Sequence, residues 1–164
     1  LPLVLDTFPD AMVWYAGQYR DVMGEQAYFE KLAPRIQQYQ QKGQWRFLGI
    51  LSPEEMAAFY PHLDALVVPS LNSTETFGLV QIEAMIKGTP SVATNLPGVR
   101  QPPRMTGMGK VVPIGDSSAL AQALIEIFSH PDQFSGDPAA VAEQFAPRNN
   151  AAGYLDLYRS LVRP

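Results

Sequence analysis

The chain has no cysteine and only two histidines among its 164 residues, and each scarcity removes a class of chemistry. Without cysteine there are no disulfides, thiolate metal sites or cysteine nucleophiles. The same absence favours a reducing compartment, so a cytoplasmic location is expected. His62 and His130 are isolated and each adjoins a proline, which gives no basis for a histidine metal cluster. Charge is also scarce: Asp, Glu, Lys and Arg make up 17% of the residues, where an average globular chain carries about 25%. Twelve Lys and Arg stand against sixteen Asp and Glu, a formal charge of −4. That balance lacks the basic excess that nucleic acid or an anionic membrane would attract. No apolar run approaches the roughly 20 residues of a bilayer span. The opening LPLVLDTFPD lacks the basic start and long apolar stretch of a signal peptide. Familiar catalytic loops are missing too. There is no G-x-S-x-G elbow and no G-x-G-x-x-G. Near Gly107-Met108-Gly109-Lys110 the phosphate-loop spacing fails, because Arg104 stands where glycine is needed and Val111 where Ser or Thr is needed.

What is present is a normal apolar content, 46%, cut into short pieces by 15 prolines. One domain of ordinary size can bury a core from it. Leu1, Val4, Leu5 and Phe8 recur at helical spacing. Ala11 to Ala16 reads as a buried strand ending at Gly17, and residues 26 to 42 as a helix closed by Gly43. Residues 46 to 49 form a second strand. Ser52-Pro53-Glu54-Glu55 predicts a helix start, with Ser as N-cap, Pro at N1 and Glu55 closing a capping box. Asp64 to Val68 is a third strand, Phe77 to Lys87 a helix closed by Gly88, and Pro90 to Thr94 a fourth strand. Asn95 to Gly109, with four Pro or Gly in its first nine residues, reads as a long loop. Lys110 to Pro113 is a minimal fifth strand. Asp116 caps an amphipathic helix carrying Leu120, Leu124, Ile127 and Phe128. Beyond Phe134 the chain is helical, with Pro147 at N1 and a stripe of Tyr154, Leu157, Tyr158 and Leu161. Trp14 and Trp45 fall in or beside strands and read as core. Asn72-Ser73-Thr74 has the form of a glycosylation acceptor and, with no sign of secretion, is read as coincidence.

Continuous apolar strands alternating with helices predict an α/β fold, a mostly parallel sheet covered on both faces. Ligands in such folds bind beyond the carboxyl ends of the strands. That selects the loops after Gly17, after Gly49, from Pro69 to Thr76 and from Asn95 to Gly109. The third is the most informative, because it feeds Thr76-Phe77-Gly78-Leu79 directly into a helix. A glycine there clears the space in front of free backbone N–H groups, a natural anion site. The plainer alternative is that Thr76 is an ordinary N-cap and Gly78 a packing choice. Glu75 precedes this helix and Glu83 lies two turns inside it. Glu75 is either a solvated loop carboxylate or a ligand group. Glu83 is either an i,i+4 partner of Lys87, worth about 0.2–0.5 kcal/mol, or a polar group with a task in an otherwise apolar helix.

A larger pattern contains these pieces: Pro69-Ser70, Glu75-Thr76-Phe77-Gly78-Leu79, Gln81-Ile82-Glu83-Ala84-Met85, Gly88-Thr89-Pro90-Ser91-Val92-Ala93-Thr94 and Pro97-Gly98-Val99-Arg100. In this order they resemble the C-terminal, nucleotide-sugar donor-binding domain of retaining glycosyltransferases with the GT-B fold, family 4 above all. Seven residues separate Glu75 from Glu83, as in that family's E-x₇-E motif. Phe47-Leu48-Gly49 with Ser52 to Met56, and Gly109 to Pro113 with Gly115-Asp116, resemble its flanking segments. The likeness runs over about residues 9 to 132 and diffusely beyond.

The resemblance implies a Rossmann-like three-layer αβα sandwich, one half of a GT-B fold. Residues 1–164 would form a single donor-binding domain, truncated at its N-terminus, with the helices from about 135 packed outside the sheet. It implies transfer of a hexose from a nucleoside diphosphate to an acceptor hydroxyl with retained configuration. The nucleotide sugar is then a substrate, and no cofactor or bound metal is expected. Glu75 would act on the donor sugar as the catalytic carboxylate. Glu83 would accept hydrogen bonds from the ribose. Thr76, Phe77, Gly78 and Leu79 would hold the diphosphate through the helix start, Ile50 would lie near the base, and Ser70 and Asn72 would line the cleft. The family's basic Arg-Lys turn and its acceptor-binding N-terminal domain are expected upstream of Leu1, and Arg20 is no obvious replacement for the turn. The fragment alone is therefore expected to be inactive. Partners would be the donor and that missing domain, through which any peripheral membrane contact would be made, with no nucleic acid and no transmembrane segment. Two alternatives remain open: a GT-B-type nucleotide-sugar epimerase, and a non-catalytic nucleotide-binding module.

Overall fold

Every strand pairing is parallel in the computed structural model, which describes residues 1–72 and 75–162. Ser73 and Thr74 of the Asn72-Ser73-Thr74 sequence lie outside the described residues. The chain divides into two units, Leu1–Ala58 and Phe59–Pro164.

The first unit holds α1 (Pro2–Leu5), β1 (Val13–Ala16), α2 (Gln26–Gln41), β2 (Trp45–Gly49) and nearly all of α3 (Pro53–Phe59). β1 and β2 form a two-stranded sheet in which Val13 lies opposite Trp45 and Tyr15 opposite Phe47. An aromatic group surrounds Phe47, with Tyr19 stacked on it at 3.9 Å between ring centroids and Tyr15, Phe29 and Trp45 further out. The start of α3 follows from its sequence. The Glu55 N–H donates to Ser52 Oγ at 3.2 Å, while the Ser52 N–H donates to Glu55 Oε2 at 2.7 Å. Two backbone donors that the helix leaves unpaired are thereby satisfied, one by each side chain.

The second unit opens with a 3-10 turn, Tyr60–His62, followed by β3 (Leu66–Val68), α4 (Leu79–Ile86), β4 (Ser91–Thr94), α5 (Gln101–Thr106), β5 (Gly109–Val112), α6 (Ser117–Ser129), a second 3-10 turn, Pro131–Gln133, then α7 (Pro138–Gln144) and α8 (Pro147–Val162). The strands form one sheet in the order β3-β4-β5. β4 is central and all four of its residues are buried. Alternation along the strand sends Val92 to one face and Ser91 and Ala93 to the other. Val92 packs with Val112, Ala123, Ile127 and Phe134, so α6 covers that face. Ala93 packs with Val68, Leu96 and Val99, and Ser91 bonds to α4, so the opposite face is covered as well. Behind α4 lies α7, with Ile82, Met85, Met108 and Val141 in one cluster. Both faces of the central strand are covered, as its apolar residues require.

Three local expectations change. Residues 101–106 of the anticipated loop are helical as α5. Its prolines, Pro102 and Pro103, sit in the first turn, where the backbone N–H has no partner to lose, so they begin a helix instead of breaking one. α4 starts two residues later than its apolar pattern suggests, and its N-cap is Gly78, not Thr76. The stripe on α8 does form on a helix, but Tyr154, Leu157, Tyr158 and Leu161 are all exposed and α8 buries no residue. Periodicity foretells a helix without foretelling what covers it. No helix among the described residues is long and apolar enough to cross a membrane.

Candidate functional site

The loop leaving β3 starts at the carboxyl end of the sheet, and its last residues, 75–78, turn into α4. Its first part is pinned by Thr94 at the end of β4, whose Oγ1 donates to the Ser70 carbonyl at 2.7 Å. Ser70 is half-buried and Asn72 is exposed.

The turn into α4 depends on two glycines. Gly78 adopts φ 76° and ψ 59°, a left-handed conformation that costs other residues strain. A Cβ on it would also stand 2.7 Å from Gln81 Nε2. Gly98, in the loop after β4, lies under the same turn, where a Cβ would overlap the Thr76 carbonyl oxygen at 1.4 Å. Pro97-Gly98-Val99 thus acts as a floor on which residues 76–78 rest.

A buried glutamine locks these parts together. Gln81, with no exposed surface, accepts from Ser91 Oγ at 2.8 Å and donates to the Val99 carbonyl at 2.8 Å. Its backbone N–H donates to the Gly78 carbonyl at 2.9 Å. One side chain therefore ties the start of α4 to the central strand and to the floor loop. The sequence offers a faint signal for it, a polar residue three positions after a glycine in an apolar helix.

The two carboxylates occupy different places. Glu75 is half-buried, and its Oε1 accepts the Gly78 N–H at 3.1 Å. It acts as a side-chain cap ahead of the helix and occupies one of the N–H groups expected to meet a diphosphate. The N–H groups of Leu79 and Val80 open the helix and by geometry have no carbonyl within it to bond. Leu79 and Val80 are themselves exposed, whereas Phe77 turns inward against the α4–α7 cluster, with its ring 6.1 Å from that of Phe145. Glu83 is exposed on α4, and no ion pair joins it to Lys87 among the described residues. Its Oε2 instead accepts the hydroxyl of Tyr60 at 2.8 Å. Burial pushes the Tyr60 phenol well above its ordinary range, and the hydrogen bond to Glu83 and the charge there push it further the same way. The sequence carries no signal for Tyr60, because 23 residues separate it from Glu83.

Ile50 belongs to the first unit, where it follows β2 and is 76% exposed. Cations flank the loop after β4. Arg100 Nη1 and Arg104 Nη2 both donate to Asn95 Oδ1, at 3.2 and 3.4 Å. Among the described residues no group of three or more His, Asp or Glu is placed to share a metal ion.

A helix start beyond a parallel sheet, with Leu79 and Val80 exposed, one carboxylate before it and another two turns within, suits a ligand with an anionic centre and hydroxyl groups. Comparisons with known proteins identify the family. Residues 5–144 match the model of a family described as glycosyl transferases group 1. The chain is 39% identical over 120 residues to a D-inositol 3-phosphate glycosyltransferase of Corynebacterium urealyticum, covering 71% of this chain and 28% of the relative. It is 33% identical over 127 residues to a phosphatidyl-myo-inositol mannosyltransferase of Mycobacterium leprae, covering 77% and 31%. Among solved structures, sucrose-phosphate synthase of Thermosynechococcus elongatus superposes with a TM-score of 0.78 at 28% identity, over 96% of this chain and 40% of that one. The chain thus spans about a third of the length of the curated relatives it matches.

Proposed function

The chain belongs to the glycosyl transferases group 1 family, and from that premise we propose that it is the nucleotide-sugar-binding half of a retaining glycosyltransferase that passes a hexose to an acceptor hydroxyl. The observation that carries this reading is the arrangement at α4: a helix start turned by Gly78, with a carboxylate just before it and another two turns within. The diphosphate would sit over the Leu79 and Val80 N–H groups, where the helix dipole and fixed donors stabilise the charge that develops as the sugar–phosphate bond breaks. A phosphate oxygen can also take the Gly78 N–H once Glu75 swings away from it. Glu75 would then be released toward the donor-sugar hydroxyls. Like-charge repulsion between carboxylate and phosphate drives that exchange. Glu83 would accept from the ribose hydroxyls. Ser70 and Asn72 would line the cleft. In this reading no metal is required, because backbone donors and basic side chains neutralise the leaving group.

The chain is proposed to be inactive by itself, since its match covers only 28% and 31% of the length of those relatives. The test uses the full-length parent with a panel of nucleotide sugars and hydroxyl acceptors, with NMR of the product. Transfer with release of a nucleoside diphosphate and retention at the anomeric carbon is expected. Inversion, epimerisation of the free sugar, or nucleotide binding without turnover on any donor contradicts the proposal.

A further inference from the structure

Glu83 is exposed on α4, yet its carboxylate is held. The Tyr60 hydroxyl donates to Oε2 at 2.8 Å, and Tyr60 is only 2% exposed. Tyr60 is fastened at its other end too. Its carbonyl accepts from Thr89 Oγ1 at 2.5 Å, and the buried Thr89 returns its N–H to the Ala84 carbonyl of α4 at 3.0 Å. Tyr60 is thus held at two points, its hydroxyl on Glu83 within α4 and its backbone carbonyl on Thr89 just past the end of that helix. Resting on the proposed donor site, we infer that Tyr60 is a positioning residue that fixes the Glu83 carboxylate for a ribose diol and thereby sets the preference for ribose over sugars lacking the 2′ and 3′ hydroxyls.

A carboxylate offers about four acceptor positions. Tyr60 uses one on Oε2 and leaves room for two hydroxyls. Glutamate is a flexible side chain, and ordering such a group on binding corresponds to about 2- to 12-fold in affinity. Tyr60 orders it in advance. Burial, and after it the contact with Glu83, hold the phenol in its neutral, donating form beyond the ordinary tyrosine range.

The test measures calorimetric affinities of the full-length parent for UDP, GDP and ADP, then for the 2′,3′-dideoxy form of whichever binds most tightly. Wild type should prefer the ribose form. Tyr60→Phe keeps the ring and the Thr89 bond and should weaken the ribose form by about 2- to 12-fold, with little effect on the dideoxy form. Glu83→Ala should abolish the preference, and in that background Tyr60→Phe should do nothing more. Equal weakening of both forms by Tyr60→Phe, no weakening, or an effect that persists without Glu83 overturns the inference. A Glu83→Ala variant that keeps the wild-type preference, or a failure of all three diphosphates to bind, overturns the donor-site reading and the inference with it. If Tyr60→Phe loses its cooperative thermal transition, Glu83→Gln reads the contact from the other side. Its amide oxygen still accepts from Tyr60, so it should retain part of the preference that Glu83→Ala lacks. A Gln variant as indifferent as Ala overturns the inference.

Discussion

Gln81 shows how much one buried polar residue can determine here. Its amide satisfies the Ser91 hydroxyl and the Val99 carbonyl, and both lie inside the unit. Replacing it with leucine fills similar space but leaves those groups unpaired, at about 1–3 kcal/mol each. Gln81→Leu should therefore lower the urea midpoint clearly, whereas an unchanged midpoint would mean that water enters and takes over both bonds. Tyr60 leads to a prediction of the opposite polarity. Its phenol titrates higher in the folded state than in the unfolded chain, so the folded state retains a proton that the unfolded chain gives up. Stability from this source is complete below the ordinary tyrosine range near pH 10 and is lost as pH rises above it. Tyr60→Phe should flatten the alkaline limb of the stability–pH profile. A limb of unchanged slope would show that other groups control it. Neither residue stands out in the sequence, because each acts through partners that are distant along the chain.

At the scale of elements, legibility followed locality. The capping box at Ser52 and the cap at Asp116 both formed where their residues placed them, with Asp116 Oδ1 accepting the Ala119 N–H at 2.8 Å. Ser52→Ala removes one of the two reciprocal bonds and should cost about 1 kcal/mol. Hydrogen exchange should show faster opening confined to the start of α3, and loss of protection across the whole unit would contradict a local role. The start of α4 was less legible. Its position depends on a Glu75 side chain that reaches forward to Gly78 and on a floor provided by Gly98, 20 positions on. α5 was missed because two prolines suggest a break, although in a first turn they remove no hydrogen bond. The stripe on α8 is helical, but its exposed face shows that amphipathicity describes a helix and not its surroundings.

For the whole molecule, the α/β class was legible from alternating apolar runs, and the family from the ordered motifs around Glu75 and Glu83. The matched relatives are named a D-inositol 3-phosphate glycosyltransferase and a phosphatidyl-myo-inositol mannosyltransferase, and the match covers under a third of the length of each. Acceptor choice is thus a matter for the full-length protein, while nucleotide recognition can be tested at Glu83. The most direct measurement is the dissociation constant of the full-length parent for its preferred nucleoside diphosphate, with and without Glu83→Ala. Losing hydrogen bonds to a charged group should weaken binding by about 10-fold or more. An unchanged constant would contradict the assignment of α4 as the nucleotide-holding helix.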